Sequence, residues 1–293
     1  MTFRKKVELN KKVISAYLYA TAIGVYRIVI NGEKVSDEFL TPGFTSYKKN
    51  LQYQTIDVKD LLSDNNEIIV NVAGGWAVGS FVYSRENRVI DNKQSFWCEL
   101  HIMFEDGRIE KIVTDESWEV SLDGPFKMAD LYDGEDYDAR VSYGDISFKK
   151  AKIADVKVKP EIMAAYGAPL IEHETFIPKL LSEDENGLIY DFGQNFAGLI
   201  HLEIDGQKDQ VITVRHAEIL RPDGSLNTDF LRSARAGIVY TCKEGKQEYI
   251  PTFTYMGFRY VSVGGIDKDK IKVTARALYS DVKDTGSFSC SNN

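Results

Sequence analysis

Hydrophobic and polar residues alternate along most of this chain with the two-residue period of half-buried strands. In Val13-Ile-Ser-Ala-Tyr-Leu-Tyr-Ala-Thr-Ala22, Tyr17, Tyr19 and Thr21 fall on one face and Ala16, Leu18, Ala20 and Ala22 on the other. The same pattern marks strands at Phe3–Leu9, Gly24–Ile30, Tyr53–Val58, Asn66–Val72, Ser95–Phe104 and Arg108–Val113. Asn31-Gly32 between alternating runs predicts a tight hairpin, because both turn positions need positive φ. Asp60–Leu62 reads as a short helical turn, and Asp115–Trp118 opens another edge. Beyond Pro160 and Pro169 the alternation resumes at Gly187–Asp191, Leu199–Ile204 and Val211–Glu218. It continues through Ile238–Cys242, Gln247–Ile250, Phe258–Val263 and Ile271–Leu278. Residues Phe192–Gly198 read as a loop between two of these strands. No long amphipathic helix and no clear repeat interrupts the series. Many short strands with regularly spaced Gly, Asn and Asp turns predict an all-β chain of two β-sandwich domains, jelly-roll or concanavalin-like. The lysine-rich stretch Ser147–Lys159 places the boundary near residue 160.

Composition narrows the function. A net charge of −8 argues against nucleic acid, where a basic footprint is expected. Cys98, Cys242 and Cys290 are far apart and odd in number, which excludes a disulfide framework and fits a reducing compartment. No close Cys or His pair has zinc spacing. The basic start and Ala20-Thr-Ala22 imitate a secretory signal, but the alternation at 13–22 reads as a strand. The expected location is therefore cytoplasmic. No run is long and apolar enough for a membrane-spanning helix.

Candidate chemistry concentrates in Asp130–Arg140, which is rich in carboxylates and poor in strand formers and reads as a tight, exposed acidic loop. Asp133, Glu135, Asp136 and Asp138 are candidate oxygens for a hard cation such as Ca²⁺. Trp76, after Gly74-Gly75, and Tyr137 are candidate sugar-stacking surfaces, with Asp133 and Glu135 as polar contacts. Two plainer readings stand beside these: a turn whose acids bond its own amides, and a strand bulge beside a core tryptophan. An inverting glycosidase needs two carboxyls about 6.5–9.5 Å apart, one with a raised pKa. A crowded, exposed cluster offers no apolar pocket to keep one acid protonated. In the second half, His216 and Glu218 are two apart and are expected to share a strand face. Asp191, Gln194 and Asn195 read either as a polar network pinning a loop or as groups bordering a sugar cleft. Arg232 and Arg259 are candidates for ion pairs at the same contact, and Phe253, Tyr255, Phe258 and Tyr260 mostly for the core.

These residues resemble the non-catalytic front half of the bacterial α-L-rhamnosidases, glycoside hydrolase family 78. Gly24-Val-Tyr26, Pro42-Gly-Phe-Thr-Ser-Tyr47, Gly75-Trp76 and Asp133-Gly-Glu-Asp-Tyr-Asp-Ala-Arg140 are similar to its N-terminal β-domain. Tyr190-Asp-Phe-Gly-Gln-Asn-Phe-Ala-Gly198, His216-Ala-Glu-Ile-Leu220 and Phe253-Thr-Tyr-Met-Gly-Phe-Arg-Tyr260 are similar to its concanavalin-like domain. Thr285–Asn292 resembles the joint to its catalytic (α/α)₆ barrel. The resemblance implies a β-domain at 1–160, a concanavalin-like domain at 161–285 and the start of the joint at 286–293. It also implies an accessory role beside an absent catalytic barrel in an enzyme that removes terminal α-L-rhamnose. The partners it implies are a rhamnose-containing glycoside and the catalytic domain. Because some members carry a Ca²⁺-assisted rhamnose-binding module, it implies Ca²⁺ and rhamnose as ligands. The alternatives are a stand-alone lectin-like module and a purely structural one.

Overall fold

Alternation becomes burial along Val13–Ile23: Ala16, Leu18, Ala20 and Ala22 are sealed inside while Tyr17 is exposed. The computed structural model describes residues 1–81, 86–88, 90–184 and 187–291. Val13–Ile23 lies at the centre of a five-stranded sheet with Ile109–Val113, Ser95–Phe104, Asn50–Asp57 and Glu161–Ala164. A six-stranded sheet runs Lys149–Lys150, Glu119–Ser121, Thr2–Glu8, Asn65–Ala73, Val25–Ile30, Glu33–Lys34. The inner faces of these two sheets share one core, in which Leu18, Ile28, Ile68, Leu100, Phe104 and Trp118 are fully enclosed. Asn31 and Gly32 turn the last hairpin with φ of 53° and 88°, as predicted.

The second half supplies eight strands of a ten-stranded sheet. Its spine is Gly187–Gly206, a single long strand where the sequence predicted two strands and a loop. Part of the intervening stretch pairs: Phe196, Ala197 and Gly198 sit opposite Phe258, Gly257 and Met256, after a register shift between Asp191 and Phe196. Gly193 absorbs that shift at φ 84°, where a side chain would be strained. The bent strand then pairs with Ile271–Ser280 and Gly245–Tyr249, so the sheet folds over a core of Leu202, Ile212, Tyr240, Phe258 and Val261.

The halves exchange strands. Asp130–Arg140, expected as a loop, contains the turn and second strand of the hairpin Phe126–Asp130/Gly134–Asp138. Gly134–Asp138 pairs in parallel with Gly237–Thr241 of the second half, so hydrogen bonding to a distant strand overrides poor local propensity. Gly134 has φ 98°, and a Cβ there would sit 1.9 Å from the Gly237 carbonyl oxygen. In the other direction, Glu161–Ala164 adds in parallel to Asn50–Asp57. Between the halves Val25, Phe39, Leu40 and Ala73 bury against Leu199, Phe253 and Leu278. Residues 281–291 carry no strand or helix, and the last two positions of the predicted joint, 292 and 293, lie outside the described residues. Among the described residues no helix is long and apolar enough to cross a membrane.

Candidate functional site

The strand period separates the acids of the hairpin. Glu135 points into the protein and is fully buried. Its Oε1 accepts the Tyr249 hydroxyl at 2.7 Å; its Oε2 accepts the amides of Phe253 at 2.9 Å and Thr252 at 3.1 Å. Burial pushes its carboxyl up to about 7, against the pull of those hydrogen bonds. The expectation of an exposed cluster without an apolar pocket is therefore corrected at this residue. Asp136 pairs with Arg235 at 2.7 Å. Asp138 is held below the usual carboxylate range by Arg140, which reaches it at 2.7 Å and also pairs with Asp209. Asp133 accepts the Arg235 amide at 3.2 Å. Asp130, at the base of the turn, accepts the amides of Ser80 and Tyr132, each at 2.7 Å.

The four candidate cation ligands are thus engaged by protein groups, Asp133 and Asp136 by Arg235, Asp138 by Arg140 and Glu135 by Tyr249, Thr252 and Phe253, and do not converge. Among the described residues no group of three or more His, Cys, Asp or Glu side chains is placed to hold a metal. Glu135 already has a protein donor on each oxygen, so the set does not fit Ca²⁺, which takes six to eight oxygens around one point. Tyr137 is not an open platform either. It stacks on Tyr240, with ring centroids 5.8 Å apart and planes 5° apart, and meets Phe126 edge-on at 5.0 Å.

Gly74 and Gly75 form no simple bulge. They begin a one-turn helix, Gly75–Val78, and glycine is required at 75, where φ is 51° and a Cβ would meet Val25 at 2.7 Å. That turn leaves Trp76 half-buried with Phe44 beside it at 5.9 Å, and Phe44 is 61% exposed. Of the proposed sugar-facing residues, Trp76 alone borders an exposed aromatic surface.

In the second half, the Arg259 guanidinium grips Asp191 through two bonds of 2.8 and 2.9 Å, and Asp191 also accepts the Gly193 amide at 2.7 Å. This arrangement holds the Asp191 carboxyl low and pins the bend in the long strand. Asn195 donates to Glu218 at 3.2 Å, and Gln194 is exposed beside them. His216 and Glu218 do not share a face, because the strand Val211–Ala217 ends between them. His216 is buried against the Phe258 ring, with Nδ1 2.9 Å from the Ala236 oxygen. Desolvation pushes it down to about 4, so it is neutral near pH 7. Glu218 is exposed. Arg232 follows the turn Asp229–Leu231 at φ 56° and is exposed. Phe253 and Phe258 are buried, as expected, whereas Tyr255 is 38% exposed.

Sequence reasoning passed over Asp91. This fully buried carboxylate accepts the amides of Asn92 at 2.7 Å, Lys93 at 3.1 Å and Lys157 at 2.7 Å, tying two segments together. The Asp-Asn dipeptide signals the local turn, but nothing in sequence reports the distant Lys157 amide.

The two halves form an interlocked pair of all-β folds, and among the described residues no group of acids and histidines is assembled to hold a metal. The family model for the alpha-L-rhamnosidase N-terminal domain matches residues 11–173. The model for the bacterial alpha-L-rhamnosidase concanavalin-like domain matches residues 182–279. The chain belongs to the alpha-L-rhamnosidase family and corresponds to its N-terminal portion. An alpha-L-rhamnosidase of Formosa agariphila is 34% identical over 99% of this chain and 33% of its own length. One from Streptomyces avermitilis is 34% identical over 95% of this chain and 28% of its own. The crystal structure of the Streptomyces avermitilis alpha-L-rhamnosidase complexed with L-rhamnose matches with TM-score 0.91 and 33% identity, over 96% of this chain and 28% of that one. That of Aspergillus terreus matches with TM-score 0.90 and 32% identity, over 99% and 35%. The chain therefore spans about a third of the length of the relatives it matches.

Proposed function

We propose that this chain is the non-catalytic accessory region of an α-L-rhamnosidase, a scaffold that supports a separate catalytic barrel and forms one wall near its substrate cleft. The observation that carries this reading is the match of nearly the whole chain to only about a third of the relatives' length, through family models of their N-terminal and concanavalin-like domains. The state of Glu135 supports it. A catalytic acid needs a raised pKa together with access to substrate, and Glu135 has the first but is sealed by Tyr249, Thr252 and Phe253. The exposed group around Asp191, Gln194, Asn195, Glu218 and Arg259 is the part of this reading that faces the catalytic barrel. Cytoplasmic residence belongs to the same proposal, with the 13–23 segment built into the sheet as its central strand. Incubated with 4-nitrophenyl α-L-rhamnoside, the isolated chain is expected to release no nitrophenol above the buffer rate. Turnover that a single carboxylate substitution removes would overturn the non-catalytic reading.

A second reading, weak binding of terminal rhamnose, draws on the Phe44–Trp76 pair, since an exposed ring beside a half-buried indole is a surface on which a sugar ring stacks. Titration calorimetry with millimolar L-rhamnose is expected to give a signal that Trp76→Ala removes and that Ca²⁺ chelation leaves unchanged, because the 133–138 acids are engaged elsewhere. Heat that disappears on chelation would contradict the geometry of those acids.

A further inference from the structure

Beside the first sandwich runs a groove of about 1170 Å³ that the proposed function does not use. Phe96, Trp97, Val120, Val156 and Ile162 are among the apolar residues lining it. Phe96 is wedged among Phe3, Tyr26 and Trp118, with centroids 5.7–6.2 Å away, so this part of the floor is rigid. Trp97 is half-buried, on the outward face of its strand opposite Thr21. The walls are fastened as well. The Asp91 carboxylate holds the 91–93 turn to Lys157, and the Ala151 amide bonds the Trp118 oxygen at 2.8 Å.

The charge of the lining is the reverse of the chain's. Arg88, Lys93, Lys149, Lys150, Lys152 and Lys159 line the groove against Asp115, Asp123 and Asp155, in a chain of net charge −8. Among the described residues these five lysines have no acidic partner, whereas Lys11, Lys270 and Lys272 elsewhere each hold a carboxylate. Cations gathered over an aromatic floor and left without internal counter-charges complement a ligand with apolar ring faces and anionic edges. Such a ligand is an acidic carbohydrate, whose sugar rings stack on Trp97 while carboxylates or sulfates meet the lysines.

We propose that this lysine-rimmed groove is a binding site for an anionic oligosaccharide. The choice of carbohydrate over acidic peptide rests on the rhamnosidase reading; the choice of an anion rests on the groove alone. The intact chain is titrated in low salt with oligogalacturonate, dextran sulfate, neutral dextran and poly-L-glutamate. Binding of either anionic sugar, at least tenfold tighter than neutral dextran and weakening steeply with added salt, is expected, and the preferred one identifies carboxylate or sulfate as the anion. The triple substitution Lys149→Gln, Lys150→Gln, Lys152→Gln and, separately, Trp97→Ala are each expected to weaken it tenfold or more. All these side chains reach the surface, and unchanged circular dichroism certifies folding. Affinity unchanged in the triple variant, or equal for neutral dextran, overturns the site. Tighter binding of poly-L-glutamate overturns the carbohydrate in favour of an acidic protein. This assay reads binding and the hydrolysis assay reads turnover, so either reading can fail alone.

Discussion

Glu135→Ala is expected to lower the unfolding free energy by about 3–5 kcal/mol in urea titrations at pH 6. The alanine leaves the Tyr249 hydroxyl and the Thr252 and Phe253 amides without their acceptor, at roughly 1–3 kcal/mol for each buried group stranded. Glu135→Gln should lose only about 1 kcal/mol, because its amide oxygen can accept the two backbone donors and its NH₂ can donate to Tyr249. The same pair predicts a pH dependence. The carboxyl is raised to about 7 in the native protein from 4.5, so the unfolded chain ionises first. Its contribution is complete below pH 4.5 and is lost as pH rises through 7. At about 1.4 kcal/mol per pH unit, that gap corresponds to about 3 kcal/mol. Tyr137 and Asp136 lie close to the carboxylate, and Asp136 adds to the upward push. Glu135→Gln, which cannot ionise, should flatten this part of the profile and overtake the parent above pH 7. Parallel profiles for parent and variant would show that Glu135 does not titrate in this window.

Phe253→Ala is the other large effect, about 3–5 kcal/mol by the usual range for phenylalanine truncation in a core. Phe253 is 2% exposed among Val25, Phe39, Leu40, Ala73, Leu199 and Leu278, and meets Phe126 at 4.9 Å. Its position makes the consequence specific. The cluster joins the two halves, and the Phe253 amide is one of the donors to Glu135. The variant should therefore loosen the hairpin Phe126–Asp138 first, seen as faster hydrogen exchange at Glu135–Asp138 than at Leu18 or Leu100. Uniform acceleration across both halves would mean that the joint contributes no more than any other core position.

Most strands were legible because each has one wet and one dry face; Val13–Ile23 and Ser95–Phe104 carry that alternation in their letters. Two misreadings share a cause. Asp130–Arg140 and Phe192–Gly198 lack local strand signals, and their pairing is set by partners far along the chain, Gly237–Thr241 and Met256–Phe258. The site was less legible than the fold. Asp133, Glu135, Asp136 and Asp138 look alike in sequence, yet burial by Tyr249 and pairing with Arg235 and Arg140 give them unrelated roles. Asp191–Arg259 was readable as two charged residues awaiting partners, but not as partners of each other.

The strand exchange described above has a bearing on how such proteins can be divided. A piece beginning at Glu161 would present Gly237–Thr241 with its neighbouring ladder stripped away, a naked hydrogen-bonding rim that invites self-association. The piece ending at residue 160 would keep the hairpin Phe126–Asp138 with nothing to dock on. Neither section is a module that shuffling could pass on by itself, so the smallest heritable unit here is the pair.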